Sequence, residues 1–149
     1  MAGPLDDTDT RSAVQAVLGA EHAAIWSAGL ATAYLPAGEQ TALADAALAH
    51  RERRDALVAL CEAAGVAPAP AAAAYATPRP VTDAASAAAL LAVAEDDTAV
   101  GWRAVLERTD DPELRRTGVA AVVSAATVGV RWRGLAGTQP LVASFPGTR

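Results

Sequence analysis

Apolar residues recur at intervals of three and four along four stretches of this chain, the spacing that gathers them on one face of an α-helix. The first stretch carries Val14, Val17, Ala24, Ala28, Ala31 and Leu35 and predicts a helix over about 12–35, ended by Pro36 and Gly38. The second, with Leu43, Ala46, Ala47, Leu57 and Leu60, predicts a helix over about 39–64 that stops at Gly65. The third runs through Ala84, Ala88, Leu91, Thr98, Trp102 and Val105; Thr82 and Asp83 are capping residues, and the helix is expected over about 82–108. The fourth opens on Asp111, Pro112 and Glu113 and continues through Leu114, Gly118, Ala121, Ala125 and Val128 to either Arg131 or Trp132. It is expected over about 111–134.

On three of these stripes the apolar run is broken once by an ionisable residue: Glu21 on the first, His50 on the second and Glu95 on the third. A charge on a buried face has to be paired or neutralised, so these residues are the candidates for chemistry. Their heights along the helices depend on how the helices are connected. The middle connection, 65–81, holds four prolines in seventeen residues, which excludes regular helix throughout, although a short turn near Ala71 to Tyr75 is compatible with it. A helix of about 25 residues is roughly 37 Å long, and seventeen extended residues reach on the order of 50 Å. The connection can therefore return along the whole bundle, so that the second and third helices run parallel.

With that topology Glu21 lies about 20 Å below the top of its helix, His50 about 16 Å and Glu95 about 20 Å, within roughly one turn of each other. On the fourth helix the same level falls between Ala121 and Val128, where every residue is small or apolar. Arg131 stands one turn above, and its guanidinium is the expected counter-charge for Glu95 or Glu21, with Arg53 or Arg54 as candidates on the second helix. A polar cluster of Glu21, His50, Glu95 and Arg131 is expected inside the bundle.

Composition supports an all-α fold in one domain spanning 1–149: 149 residues, 52% hydrophobic, over a quarter alanine and 4% aromatic. The net charge of −5, with Arg supplying all twelve basic residues, argues against nucleic acid as a partner. The opening MAGPLDDTDT has acids where a secretion signal needs bases, and no run of about 18 uninterrupted apolar residues is present. The expectation is a soluble cytoplasmic protein with no membrane partner. Cys61 reads as a small buried hydrophobe rather than a nucleophilic thiol, and no intrachain disulfide is possible. His22, about 100° around the helix from Glu21, is expected to face solvent or a partner. Leu141, Val142 and Phe145 in the tail, 138–149, are expected to fold back onto the bundle. Of Trp26, Trp102 and Trp132, at least two are expected in the core, and an exposed one would mark a subunit contact.

At this point the chain resembles the ferritin-like superfamily, whose di-iron and di-manganese members carry a Glu on helices one and three and a Glu-x-x-His pair on helices two and four. Glu21 and Glu95 match the single glutamates and His50 the second-helix histidine. Ala47 stands where its partner glutamate belongs, and Val128 and Arg131 stand at the fourth-helix Glu and His positions. The segments EHAAIW, AHRERRDAL, PVTDAASA, RWRG and FPG resemble, over nearly the whole length, an actinobacterial ferritin-like domain family of unassigned function. The resemblance implies a four-helix bundle with one long crossover, and three of six metal ligands.

Two adjacent cations need several bridging carboxylates, and this set offers two. The leading reading is a non-catalytic ferritin-like bundle with a degenerate metal site, no cofactor, and a role as a structural or interaction module, as a homodimer or with another protein. The alternative is a mononuclear metal-binding or redox protein in which Glu21, His50 and Glu95 hold one Fe, Mn or Zn ion. A third is a small apolar ligand held between the alanine-rich helices.

Overall fold

Local chemistry sets the ends of the helices. The structure, a computed structural model, describes residues 3–148, and its elements are α1 (Thr8–Ala31), a short 3-10 turn (Ala37–Glu39), α2 (Gln40–Ala63), α3 (Ala84–Leu106) and α4 (Pro112–Ala136). Asp7 caps α1 by accepting from the Thr10 N–H, Asp83 and Ser86 form a reciprocal capping box on α3, and Asp111 accepts from the Leu114 N–H ahead of Pro112 on α4. Gly65 and Gly137 adopt left-handed φ values of 67° and 70° past the ends of α2 and α4, which only glycine takes without strain.

Two boundaries differ from expectation. Helix α1 begins one turn earlier, because Asp7 supplies the cap, and it ends at Ala31. Leu35 still reaches the core from the following turn, and the Gln40 amide donates to the carbonyls of Thr32 and Leu35 that the ended helix leaves free. The connection between α2 and α3 has no helical turn near Ala71 to Tyr75 and is irregular over its length.

The directions of the helices follow from which residues share a core. One apolar cluster joins Val14, Val17 and Leu18 of α1 to Leu57 and Cys61 of α2, Trp102 and Val105 of α3, and Leu114 and Ala121 of α4. A second joins Ala28 and Ala31 to Leu43 and Ala47, Ala87 and Leu91, and Trp132. The start of α1 therefore lies beside the end of α2, the end of α3 and the start of α4. Helices α2 and α3 run parallel to each other and antiparallel to α1 and α4. The crossover returns from one end of the bundle to the other: Val66 and Ala69 pack on the first cluster and Val81 on the second.

Helix α1 guides that crossover. Its Gln15 side chain accepts from the Ala69 N–H at 2.7 Å and donates to the Ala67 carbonyl at 2.8 Å. His22 Nε2 donates to the Ala69 carbonyl at 3.1 Å, and Trp26 meets Tyr75 with ring centroids 5.8 Å apart. His22 thus faces the crossover instead of solvent, since positions 15, 22 and 26 lie on one side of the helix. The tail also departs from expectation. Its backbone is tied to α4 by Arg133, which donates to the Leu141 carbonyl, but the side chains of Leu141, Val142 and Phe145 stay exposed.

Close packing of α1 on α3 depends on Gly101. A Cβ at this position would lie 2.8 Å from Val17 Cγ2 and 3.2 Å from the Val17 Cα, and Val17 is fully buried. Gly101→Ala gains up to about 1 kcal/mol of helix propensity, yet the two helices must separate to admit the methyl group, at about 1–3 kcal/mol. The variant is expected to melt below the parent in a thermal scan, and an equal or higher Tm would show that the contact yields freely.

Candidate functional site

Between the two apolar clusters lies a polar layer. Glu21, His50 and Glu95 come from three different helices and all three are buried, at 0%, 3% and 3% exposure. His50 Nδ1 is 2.7 Å from Glu21 Oε2, and His50 Nε2 is 3.1 Å from Glu95 Oε1. The imidazole thus joins the two carboxylates directly, using both of its nitrogens. Glu21 Oε1 accepts two further bonds, from Arg53 Nε at 2.7 Å and from the indole N–H of Trp102 at 2.7 Å.

Arg131 is not part of this layer. The continuous core stripe of α4 passes through Gly118, Ala121, Ala125, Gly129 and Trp132, which leaves Arg131 about 100° away on the outside. There its Nε bonds Glu39 Oε2 at 2.6 Å, at the entrance to α2. The counter-charge comes instead from Arg53, three residues after His50 and so on the same face of α2. Arg51, Glu52 and Asp55 of the same charged run are exposed. Trp102 belongs to the layer through its indole N–H although its ring packs in the core. The sequence signal for it is the seven-residue spacing from Glu95, which places both on one stripe of α3.

The charges in the layer balance only when His50 is protonated. Two carboxylates then face one imidazolium and one guanidinium. Arg53 Nη2 also lies 2.8 Å from His50 Nδ1, but a nitrogen donating to Glu21 cannot accept from a guanidinium. Placing the proton on Nδ1 satisfies Glu21 Oε2 and leaves Arg53 acting through Nε. Burial alone would lower the His50 pKa, yet the hydrogen bonds to Glu21 and Glu95 and the charges of both carboxylates raise it from 6.5 to about 9. For Glu21, burial acts to raise the pKa. The His50 hydrogen bond, the charges of Arg53 and His50 and the Trp102 hydrogen bond outweigh it and hold the carboxyl below its ordinary 4.5.

Among the described residues no group of three or more His, Cys, Asp or Glu side chains is disposed to hold a metal ion. Both His50 nitrogens are spent on carboxylates, Arg53 lies against Glu21 where a cation would be repelled, and α4 brings Ala125 to this level. The donor set does not fit a dinuclear centre. Cys61 is buried in the first apolar cluster, and burial raises its thiol pKa, which suits packing and not nucleophilic chemistry. A groove of about 340 Å³ opens between α2 and α4, lined by Ala56, Leu57, Leu60, Trp102, Leu114 and Thr117 among others.

These features define a class: an all-α four-helix bundle with one long crossover and a closed ionic layer across its interior. The chain belongs to the family described as "Domain of unknown function (DUF4439)", which matches residues 13–149. It is similar to the crystal structure of a conserved hypothetical protein from Mycobacterium tuberculosis, at 35% identity over 87% of this chain and 98% of that one, with a TM-score of 0.83. No curated protein matches it.

The layer makes stability depend on pH in a defined direction. The His50 pKa is higher in the folded state than in the unfolded chain, so its contribution is fully present below pH 6.5 and is lost as pH rises through about 9. The Glu21 pKa is lower in the folded state, so its contribution is present above pH 4.5 and is lost as pH falls through the folded value. Stability is expected to be greatest between these limits and to fall by something on the order of 3 kcal/mol between pH 6.5 and 9. In His50→Gln the alkaline fall should vanish from a Tm-against-pH series; an unchanged fall would assign it to another group.

Proposed function

We propose that this protein is a ferritin-like helical bundle whose metal site has been replaced by a metal-free ionic clasp, and that it acts as a structural or interaction module without catalysis. The observation that carries this reading is the direct bonding of His50 to both Glu21 and Glu95. In a metal centre these three groups would turn lone pairs toward a shared ion. Here both oxygens of Glu21 and Oε1 of Glu95 face protons of the protein instead, on His50, Arg53 or Trp102.

Further support comes from what surrounds the layer. Ala47 and Ala125 leave no carboxylate to bridge a second cation. A reaction would need an approach for substrate, yet Glu21 and His50 are enclosed by Trp102, Arg53 and three helices. The clasp acts on geometry: a bonded carboxylate–imidazole–carboxylate row permits one relative height of α1, α2 and α3. Its net contribution to stability is small compared with an apolar layer of the same shape, because desolvation of the four charges offsets most of their attraction.

Metal analysis of protein expressed with added iron, manganese and zinc and purified without chelator tests this reading. Substoichiometric metal is expected, together with a Tm that the three ions leave unmoved. Stoichiometric metal that disappears in Glu95→Ala would replace the clasp with the mononuclear site.

A further inference from the structure

Most of the large apolar side chains left exposed belong to the C-terminal part of the chain. Among the described residues, five of the eight large hydrophobic side chains left exposed belong to α4 and the tail: Val119, Val123, Leu141, Val142 and Phe145. Helix α4 is by length and composition apolar enough to cross a bilayer, yet only 28% of its most apolar window is buried inside the bundle. Within it the segment 117–130 has no charged residue, in a chain of net charge −5. The exposed outer row of this segment is Val119, Ala120, Val123 and Thr127. A contiguous apolar face of this kind on a water-facing helix calls for a partner.

The ends of that row indicate which partner. Glu113 and Arg116 form an ion pair at the start of α4, and Arg131 pairs with Glu39 near its end. Glu113 and Arg131 carry opposite charges and are separated by eighteen residues, about 27 Å along the helix. In a two-fold antiparallel arrangement every contact occurs twice. The midpoint of residues 113 and 131 is 122, so the axis passes beside Val123. Glu113 of one copy then meets Arg131 of the other, once at each end of the row. The uncharged segments lie between, where two acidic molecules can approach without repulsion.

We propose that the outer face of α4 is a homodimer interface, antiparallel to α4 of a second copy and centred on Val123. The inference deepens the reading of the protein as an interaction module by naming the partner, and it rests on that reading. Each α4 buries its valine row against the other, and the exchanged ion pairs at both ends fix direction and register more than affinity.

Sedimentation of the full chain across micromolar concentrations tests it, with metal content measured on the same samples. Wild type is expected at twice the chain mass. Val123→Arg sets two like charges at the axis and is expected to weaken the dimer by ~100-fold or more, with helix content unchanged because the position is exposed. Glu113→Arg and Arg131→Glu are each expected to weaken it roughly tenfold, and the two together to restore it. Leu48→Arg, exposed on α2, is expected to leave the dimer intact. A wild-type monomer, a dimer that survives Val123→Arg, or a monomer that floats with lipid vesicles would each overturn the interface. A metal-free monomer leaves the ionic clasp standing, whereas a metal-loaded dimer removes the clasp and keeps the interface.

Discussion

A carboxylate buried on α1 and another buried on α3 share one layer only because the His50 ring between them offers a proton to each. Without that ring two like charges would face each other in an apolar interior, and one or both would have to take up a proton. Most of the architecture follows from this requirement. Glu21 must lie deep enough to reach across to α2, which the small residues of α1 and the bare Cα of Gly101 allow. Trp102, packed in the first apolar cluster, turns its one polar atom toward Glu21. Arg53 enters from the rim of α2 with a side chain only 13% exposed, and supplies the second positive charge. Removing one member of such a set costs far more than the set contributes as a whole, because the others are left buried and unpaired.

Helix α4 stands outside this arrangement. It closes the layer with Ala125 and Gly129, packs closely on α3, and leaves a groove toward α2 in place of a tight seam. Its large core side chains are Leu114 in the first cluster and Trp132, which fills the second although its indole N–H finds no partner among the described residues. Shape has outweighed polarity at that position. The helix also carries apolar residues on its outer side, Val119 and Val123 among them.

Much of this was legible in the residues. The interruptions of three apolar stripes by Glu21, His50 and Glu95 named the layer, and the proline-rich connection implied parallel α2 and α3, because heights and connection length are geometric consequences of helix rise. The choice of counter-charge was not legible. Arg131 and Trp132 compete for one core position, and volume decides it: the indole fills the space between α2, α3 and α1, and the guanidinium one residue earlier turns to Glu39. Arg53 lay within a run of charges in which Arg51, Glu52 and Asp55 face water, so periodicity alone could not single it out. His22 was misplaced because the path of the crossover, which its ring supports, has no periodic signature. The early start of α1 was hidden among Asp6, Asp7, Thr8 and Asp9, each a competent cap.

The central claim is that His50 is an imidazolium at neutral pH, bonded through both nitrogens to carboxylates of two other helices. Nitrogen-detected NMR of the imidazole rings tests it directly, and with two histidines in the chain the His22→Gln variant completes the assignment. The account predicts two protonated ring nitrogens on His50 at pH 7, with both N–H protons protected from solvent exchange and coupled across their hydrogen bonds to Glu21 and Glu95. A neutral ring with one bare nitrogen at pH 7 would contradict it.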